Sequence, residues 1–458
     1  MSILPNSVSP RRKVNVTRRN FLKLVAGSSA GALVAGYSTS RAHAATGDFD
    51  WKKYRGTDLR YLGWVHPWSD AIKANLPEFE ELTGIKVYWE QLPQDQNRQK
   101  VPTELTAKNK DLDLIFMSPE VEGVKYFKAG WLHPIDEYLA DPKMMPPDFD
   151  LKDFGEGAVK TGNVLGKQIL VPHQVDPPSF SYRKDLFSEK GLKAPETFDQ
   201  MEGVMGKVHA PPNIYGFVSR GTALQGTVPW ALYLYGFGGE WLTKDRKPAT
   251  SAPECIKAIE FWARLCTTYG PPGISSFNWA ESSAMIAQGK AATEGDSIGL
   301  RGVYEAPDKS KVVGKIGYAM FPAGPGGQRP WVWTAGNAIP TYSQKKEAAW
   351  YFILWTLSKQ NQIRTNVRGI AATRTSAWKA PEMDKLRQTN PDWIETTLKS
   401  MAISDKPINP PVVAVMEYRT RVGEVLVKAL QGLKGDALKE EAAKADKALQ
   451  AILDRTEK

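Results

Sequence analysis

The chain has 458 residues, of which 42% are hydrophobic, 10% aromatic and 24% charged, with a net charge of +10. This composition excludes a wholly disordered chain and allows two domains of ordinary size, each with its own core. The charge does not mark a nucleic-acid surface: Arg11, Arg12, Lys13, Arg18, Arg19, Lys23 and Arg41 lie in an N-terminal segment without one acidic residue, and the rest of the chain is close to neutral.

Residues 1–44 read as an export signal. A basic stretch leads into Thr17-Arg18-Arg19-Asn20-Phe21-Leu22-Lys23, then a mildly apolar run from Leu24 to Tyr37, then Ala42-His43-Ala44, with small residues where a signal peptidase reads. The run is shorter than the roughly 20 apolar residues a membrane span needs, so it predicts a signal and not an anchor. The arginine pair resembles the twin-arginine address of proteins exported folded, with a chance pair in a general secretory signal as the alternative. Cleavage after Ala44 and a periplasmic location are expected.

From Asp58 the chain alternates strand and helix patterns, which predicts an α/β architecture. Residues 59–64 read as a strand, and the loop 65–70 leads into an amphipathic helix over 71–82, closed by Thr83-Gly84. Residues 85–92 form a second strand, a helix follows around 98–108, and 111–120 holds a short apolar strand of the buried parallel type. Residues 167–187 begin as a strand and run through three prolines into a new region. Helical patterns then dominate 225–242, the segment around Cys255, and 279–297. Sheet-like stretches return at 315–322 and 331–340, before a strong helix over 345–363 and a helical tail from Pro411.

In Trp-Val-Trp-Thr-Ala-Gly-Asn-Ala-Ile-Pro (331–340) the period of two sends Trp331, Trp333 and Ala335 to one face. Cys255 and Cys266 share one helical repeat about 16 Å apart, beyond disulfide reach, so both are expected as free thiols. No Cys-x-x-Cys, Cys/His cluster or His-Glu-x-x-His motif occurs, so neither a metal nor another cofactor is expected.

Four stretches, in order, resemble the extracellular solute-binding proteins of ABC importers that handle carbohydrates, a family that includes maltose-type receptors. They are FEELTGIKVYWEQ (79–91); DLDLIFMSPE (111–120) with KAGWLHPIDEYL (128–139); SYRKDLFSEKGLKAPETFDQM (181–201); and SQKKEAAWYFILWTLSKQNQ (343–362) with RGIAATRTS (368–376). The resemblance implies a two-lobed α/β fold, the type II periplasmic binding protein fold, each lobe a sheet flanked by helices and joined by a hinge. Residues 45–173 and 320–372 would form one lobe, and 174–319 and 373–458 the other. It also implies a monomeric receptor that catalyses nothing and hands its ligand to permease subunits in the inner membrane. No lipobox cysteine follows the signal, which suits a free periplasmic protein of a Gram-negative cell.

A sugar offers C–H patches that stack on aromatic rings and hydroxyls that both donate and accept. Its receptor therefore needs aromatic planes with carboxylates, amides and an arginine, gathered where strands end and helices begin. The candidates are His66 and Trp68 after the first strand, Ser118 and Glu120 after the third, and His173, Gln174 and Asp176 near the first crossover. The second lobe offers Ser219, Arg220, Trp230, Trp279 and Asp296. The late strand adds Trp331, Trp333 and Gly336, the glycine letting a ligand approach the backbone.

Arg374 is a further candidate, with a structural carboxylate partner as its favoured role. Plainer roles stand beside the others: His66 as a helix cap, Trp230 as core, and one of Trp331 and Trp333 facing inward. Glu120 and Asp296 rank highest, because an acid ending a buried strand needs a donor. Glu120→Ala is accordingly expected to weaken binding by about 1–3 kcal/mol. Arg220 would dominate if the ligand were a sugar acid.

The function these readings favour is capture of a neutral sugar, oligosaccharide or sugar alcohol between two lobes for an ABC permease. The alternative is a secreted glycoside-hydrolase-like enzyme, which would need two carboxylates about 5–10 Å apart. Nucleophile-elbow and phosphate-loop motifs are absent.

Overall fold

The computed structural model describes residues 49–404 and 406–457; the expected signal segment, 1–44, lies outside them. Strands β1 (Asp58–Trp64), β2 (Lys86–Leu92) and β3 (Leu114–Met117) are parallel, with β1 in the middle. All four residues of β3 are buried, as its unbroken apolar run requires.

After the small hairpin of β4 (Asn163–Val164) and β5 (Lys167–Gln168), the strands β6 (Pro172–Asp176) and β7 (Pro178–Arg183) are separated by Pro177 alone, yet enter different sheets. Pro177 and Pro178 have no N–H to continue a ladder, so the chain changes sheet there. β7 is the centre of a three-stranded antiparallel sheet between β8 (Thr293–Ser297) and β9 (Ile316–Ala319).

β10 (Trp331–Ala338) rejoins the first sheet, antiparallel to β3 and β6, and β11 (Lys406–Pro407) pairs parallel to its start. Two sheets, each with its own helices, give the two-lobed α/β organisation. One core packs Leu59, Tyr61 and Trp64 of β1 against Trp350, Phe352 and Trp355 of the helix Lys346–Thr356. The other is built around the helices Thr227–Gly236, Pro253–Tyr269, Val415–Leu430 and Gly435–Thr456. Cys255 and Cys266 lie buried and free on Pro253–Tyr269.

Three elements differ from the sequence reading. The helix expected over 71–82 is two, Pro67–Lys73 and Leu76–Thr83, because Pro77 fits only a first turn; Gly84 then closes the second at φ 70°. The helical pattern at 279–297 covers the helix Trp279–Ala287 and the strand β8, whose polar letters Thr-Glu-Gly-Asp-Ser disguised a fully buried strand. The helix over 345–363 divides at Ser358, whose hydroxyl caps Lys359–Val367 by accepting from the Asn361 N–H. Among the described residues no helix is long and apolar enough to cross a membrane.

Candidate functional site

A cleft of about 670 Å³, open to solvent, lies where the two sheets approach. One wall comes from the ends of β1, β3 and β6 and from the first turns of the helix Gln94–Thr106. The other comes from the starts of the helices Thr227–Gly236 and Trp279–Ala287, the turn after β8 and the helix Val415–Leu430. β10 and the residues after β11 complete it. Strand ends and helix starts are where an open α/β fold leaves room for a ligand.

His66 both caps a helix and lines this cleft. Its Nδ1 accepts from the Trp68 N–H at 3.1 Å, and burial holds its pKa down to about 3. The ring is therefore neutral, with its proton on Nε2. The rings of Trp279 and Trp333 each lie 6.3 Å from it. Both Trp331 and Trp333 line the cleft, as their shared face of β10 allows; Trp331 is fully buried and its Nε1 has no partner among the described residues. Asn409, 3% exposed, likewise has neither amide atom hydrogen-bonded among the described residues. Buried polar atoms are nearly always paired, so orphans that line a cleft mark where a ligand's hydroxyls would fit.

The charged groups here are held by one another. Arg220 grips Asp296 bidentately, Nε to Oδ2 at 2.7 Å and Nη2 to Oδ1 at 2.6 Å, and its Nη1 donates to Gln225 at 3.2 Å. Gln225 in turn donates to Asp95 across the cleft at 3.3 Å. Arg98 pairs with Glu122 at 2.7 Å. Asp176, at the sheet change, accepts from the Ser297 hydroxyl and from the Gly299 N–H, and burial pushes its carboxyl up to about 7.

A Cβ on Gly299 would stand 2.9 Å from Asp176 Oδ1, so only glycine allows this approach. Gly299→Ala is expected to lower stability by about 1–3 kcal/mol through the weakened bond to Asp176. A urea unfolding midpoint equal to that of the parent chain would remove this role.

Of the sequence candidates, His66, Arg220, Trp279, Trp331 and Trp333 line the cleft, as does Asp176. Asp296 stands behind Arg220 and holds it. The other nine lie elsewhere, each for a local reason. Trp68 is fully buried, stacked on His173 with ring centroids 3.6 Å apart. His173 is buried with it, and that burial pushes its pKa down. Gln174 lies in the ladder between β6 and β10. Ser219 accepts from Trp262 Nε1 at 3.3 Å inside the second core, and Trp230 packs edge-on to Trp241 there.

Gly336 makes room for Leu170, which a Cβ would meet at 2.7 Å, and not for a ligand. Arg374 takes the structural role favoured for it: it donates to Asp153 at 3.1 Å and to the Leu357 carbonyl at 2.8 Å, with its guanidinium over Phe154.

Glu120 is the main correction. It does find the donors its burial demands, but they belong to the protein: the N–H and hydroxyl of Thr334 on β10, and the Ser118 hydroxyl at 2.8 Å. Desolvation pushes its carboxyl from 4.5 up to about 7. Its pKa is thus higher folded than unfolded, so the folded state holds the extra proton below about 7, and stability falls as pH rises through the window between those values. Glu120→Gln is expected to flatten this fall, which is of order 1–3 kcal/mol. Unfolding midpoints measured from pH 4 to 8 check it; an unchanged profile would discard Glu120 as the source.

Gln94, Arg98, Gln225, Asn409 and Arg419 also line the cleft and were not singled out from the sequence. Asn409 follows a two-residue strand and Arg419 sits mid-helix in the tail, so neither stands at a strand end legible in the pattern. Among the described residues no group of His, Cys, Asp and Glu could hold a metal ion.

Comparison with known proteins identifies the family. The model of the bacterial extracellular solute-binding protein family matches residues 66–363. The erythritol/L-threitol-binding protein of Mycolicibacterium smegmatis is 27% identical over 355 residues, 72% of this chain and 73% of that one. The mannitol-binding protein of Pseudomonas aeruginosa is 27% identical over 384 residues, covering 77% and 84%. A solute-binding protein of an ABC transporter from Agrobacterium radiobacter K84, solved with ribitol, superposes with a TM-score of 0.78 at 26% identity, over 86% of this chain and 99% of that one.

Proposed function

The chain belongs to the bacterial extracellular solute-binding protein family, and on that premise we propose that its cleft captures a sugar or sugar alcohol and releases it to an ABC permease. The observation that carries this reading is the convergence in one cleft of the indoles of Trp279 and Trp333, beside the buried Trp331, with an Asn409 amide that has no partner among the described residues. Flat apolar faces suit C–H patches, and orphaned buried donors and acceptors suit hydroxyls. The similarity to proteins named for erythritol and mannitol, and to one solved with ribitol, points the same way.

The ligand enters an open form, the lobes close about the sheet crossings near Pro177 and between β9 and β10, and the closed form is the one the permease reads. The lobes divide near 173–174, 319–320 and 372–373. The protein works as a monomer and catalyses nothing. It acts in the periplasm after a twin-arginine signal is cut after Ala44; N-terminal sequencing of the exported protein should begin at Ala45, and a retained Arg18-Arg19 pair would count against that route.

Calorimetric titration with erythritol, ribitol, D-mannitol and common mono- and disaccharides tests the function. At least one should bind at roughly micromolar dissociation constant, with recovered ligand chemically unchanged. Turnover of a glycan by the pure protein would favour the hydrolase alternative instead.

A further inference from the structure

Resting on that receptor reading, we infer that the ligand is a polyhydroxylated chain carrying an anionic head group, a carboxylate or a phosphate ester, and that Arg419 is the residue that meets it. Arg419 lines the cleft and is 2% exposed. Its Nε donates to Thr227 Oγ1 at 2.9 Å and its Nη2 to the Leu224 carbonyl at 2.8 Å, both uncharged acceptors. No carboxylate pairs with it among the described residues. The two other arginines of the cleft are matched, Arg98 by Glu122 and Arg220 by Asp296.

The remaining acids nearby are committed elsewhere. Asp176 gives its oxygens to Ser297 and Gly299, and Asp95 is exposed and accepts from Gln225. One buried guanidinium is therefore left without a direct ion-pair partner, with Glu122 and Asp95 favouring its charge only from a distance, and a buried charge with no direct partner is costly. Burial first, then the neighbouring Arg98 and Arg220, push its pKa down to about 9, outweighing the opposite pull of Glu122 and Asp95.

A neutral hydroxyl would leave the guanidinium without a direct ion pair, whereas a ligand anion supplies one. Trp331 and Asn409 line the same cleft, and their Nε1 and Nδ2, without partners among the described residues, would complete the shell of a head group with two or three oxygens. Arg220, to which the sequence reading gave this role, has its Nε, Nη1 and Nη2 all engaged by Asp296 and Gln225 and is not free to take it.

The test is calorimetry on the full mature chain with matched probes: ribitol, ribonate and ribitol 5-phosphate, and the corresponding D-mannitol series. One anion is expected to bind about tenfold or more tighter than its neutral parent, and the two anions tell carboxylate from phosphate. In Arg419→Gln that ratio is expected to collapse toward one, and in Arg419→Lys, which keeps the charge, to survive in part. If Arg419→Gln does not fold, the parent chain's ratio together with Arg419→Lys decides. Neutral probes that bind as tightly as both anions, or a ratio unchanged in Arg419→Gln, overturn the inference and leave the receptor reading standing. A panel in which nothing binds overturns both.

Discussion

Arg220→Ala is expected to lower the stability of the protein by about 3–5 kcal/mol, because it strands the Asp296 carboxylate, 2% exposed, without its bidentate partner. The magnitude comes from desolvation and not from the strength of the pair. Removing one partner leaves a buried charge, whereas removing both leaves only a cavity to fill. The double variant Arg220→Met with Asp296→Leu should therefore recover most of the loss. Chemical unfolding of the three proteins decides the matter: a single variant as stable as the parent, or a double variant worse than the single, would show that the pair does not brace this wall of the cleft.

Trp333→Ala is expected to weaken binding of the sugar or sugar alcohol by about 2–3 kcal/mol, roughly 30- to 150-fold, while changing the unfolding midpoint little. Trp333 is only half-buried and turns one side to the cleft, so truncation removes a stacking plane without opening the core. Its neighbour two residues back behaves differently. Trp331 is fully buried within the second core as well as lining the cleft, and Trp331→Ala should cost about 3–5 kcal/mol of stability in addition to affinity. Equal effects of the two variants on folding would contradict this division of labour, which fluorescence-monitored unfolding beside ligand titration would reveal.

Much of the architecture is legible in the sequence because it rests on periodicity. The buried run Leu-Ile-Phe-Met of β3, the two-residue alternation of β10 and the helical spacing around Cys255 each dictate one element, and the structure contains all three. β8 was hidden because its burial is achieved through polar bonds: the Thr293 hydroxyl donates to the Gly216 carbonyl, Glu294 accepts from Tyr304, and Asp296 from Arg220. Hydrophobic patterning is blind to a strand buried that way.

The candidate site divides along the same line. Residues fixed by local geometry, such as His66 at a helix start and the two tryptophans on one strand face, could be placed from their spacing. Glu120 and Asp296 were correctly seen to need donors, but a sequence cannot say whether a donor comes from the ligand or from the protein, and Thr334 lies more than two hundred residues from Glu120. Arg419 reaches the cleft only because its tail helix packs on the helix Thr227–Gly236, a contact between distant segments that no local pattern encodes.

The most direct test of the account is a crystal structure of the mature chain grown with the tightest-binding polyol of the titration panel. The account predicts the ligand between the two sheets, within van der Waals contact of Trp333 and hydrogen-bonded to Asn409. A ligand bound outside this cleft, or one seated in it without touching either residue, would contradict it.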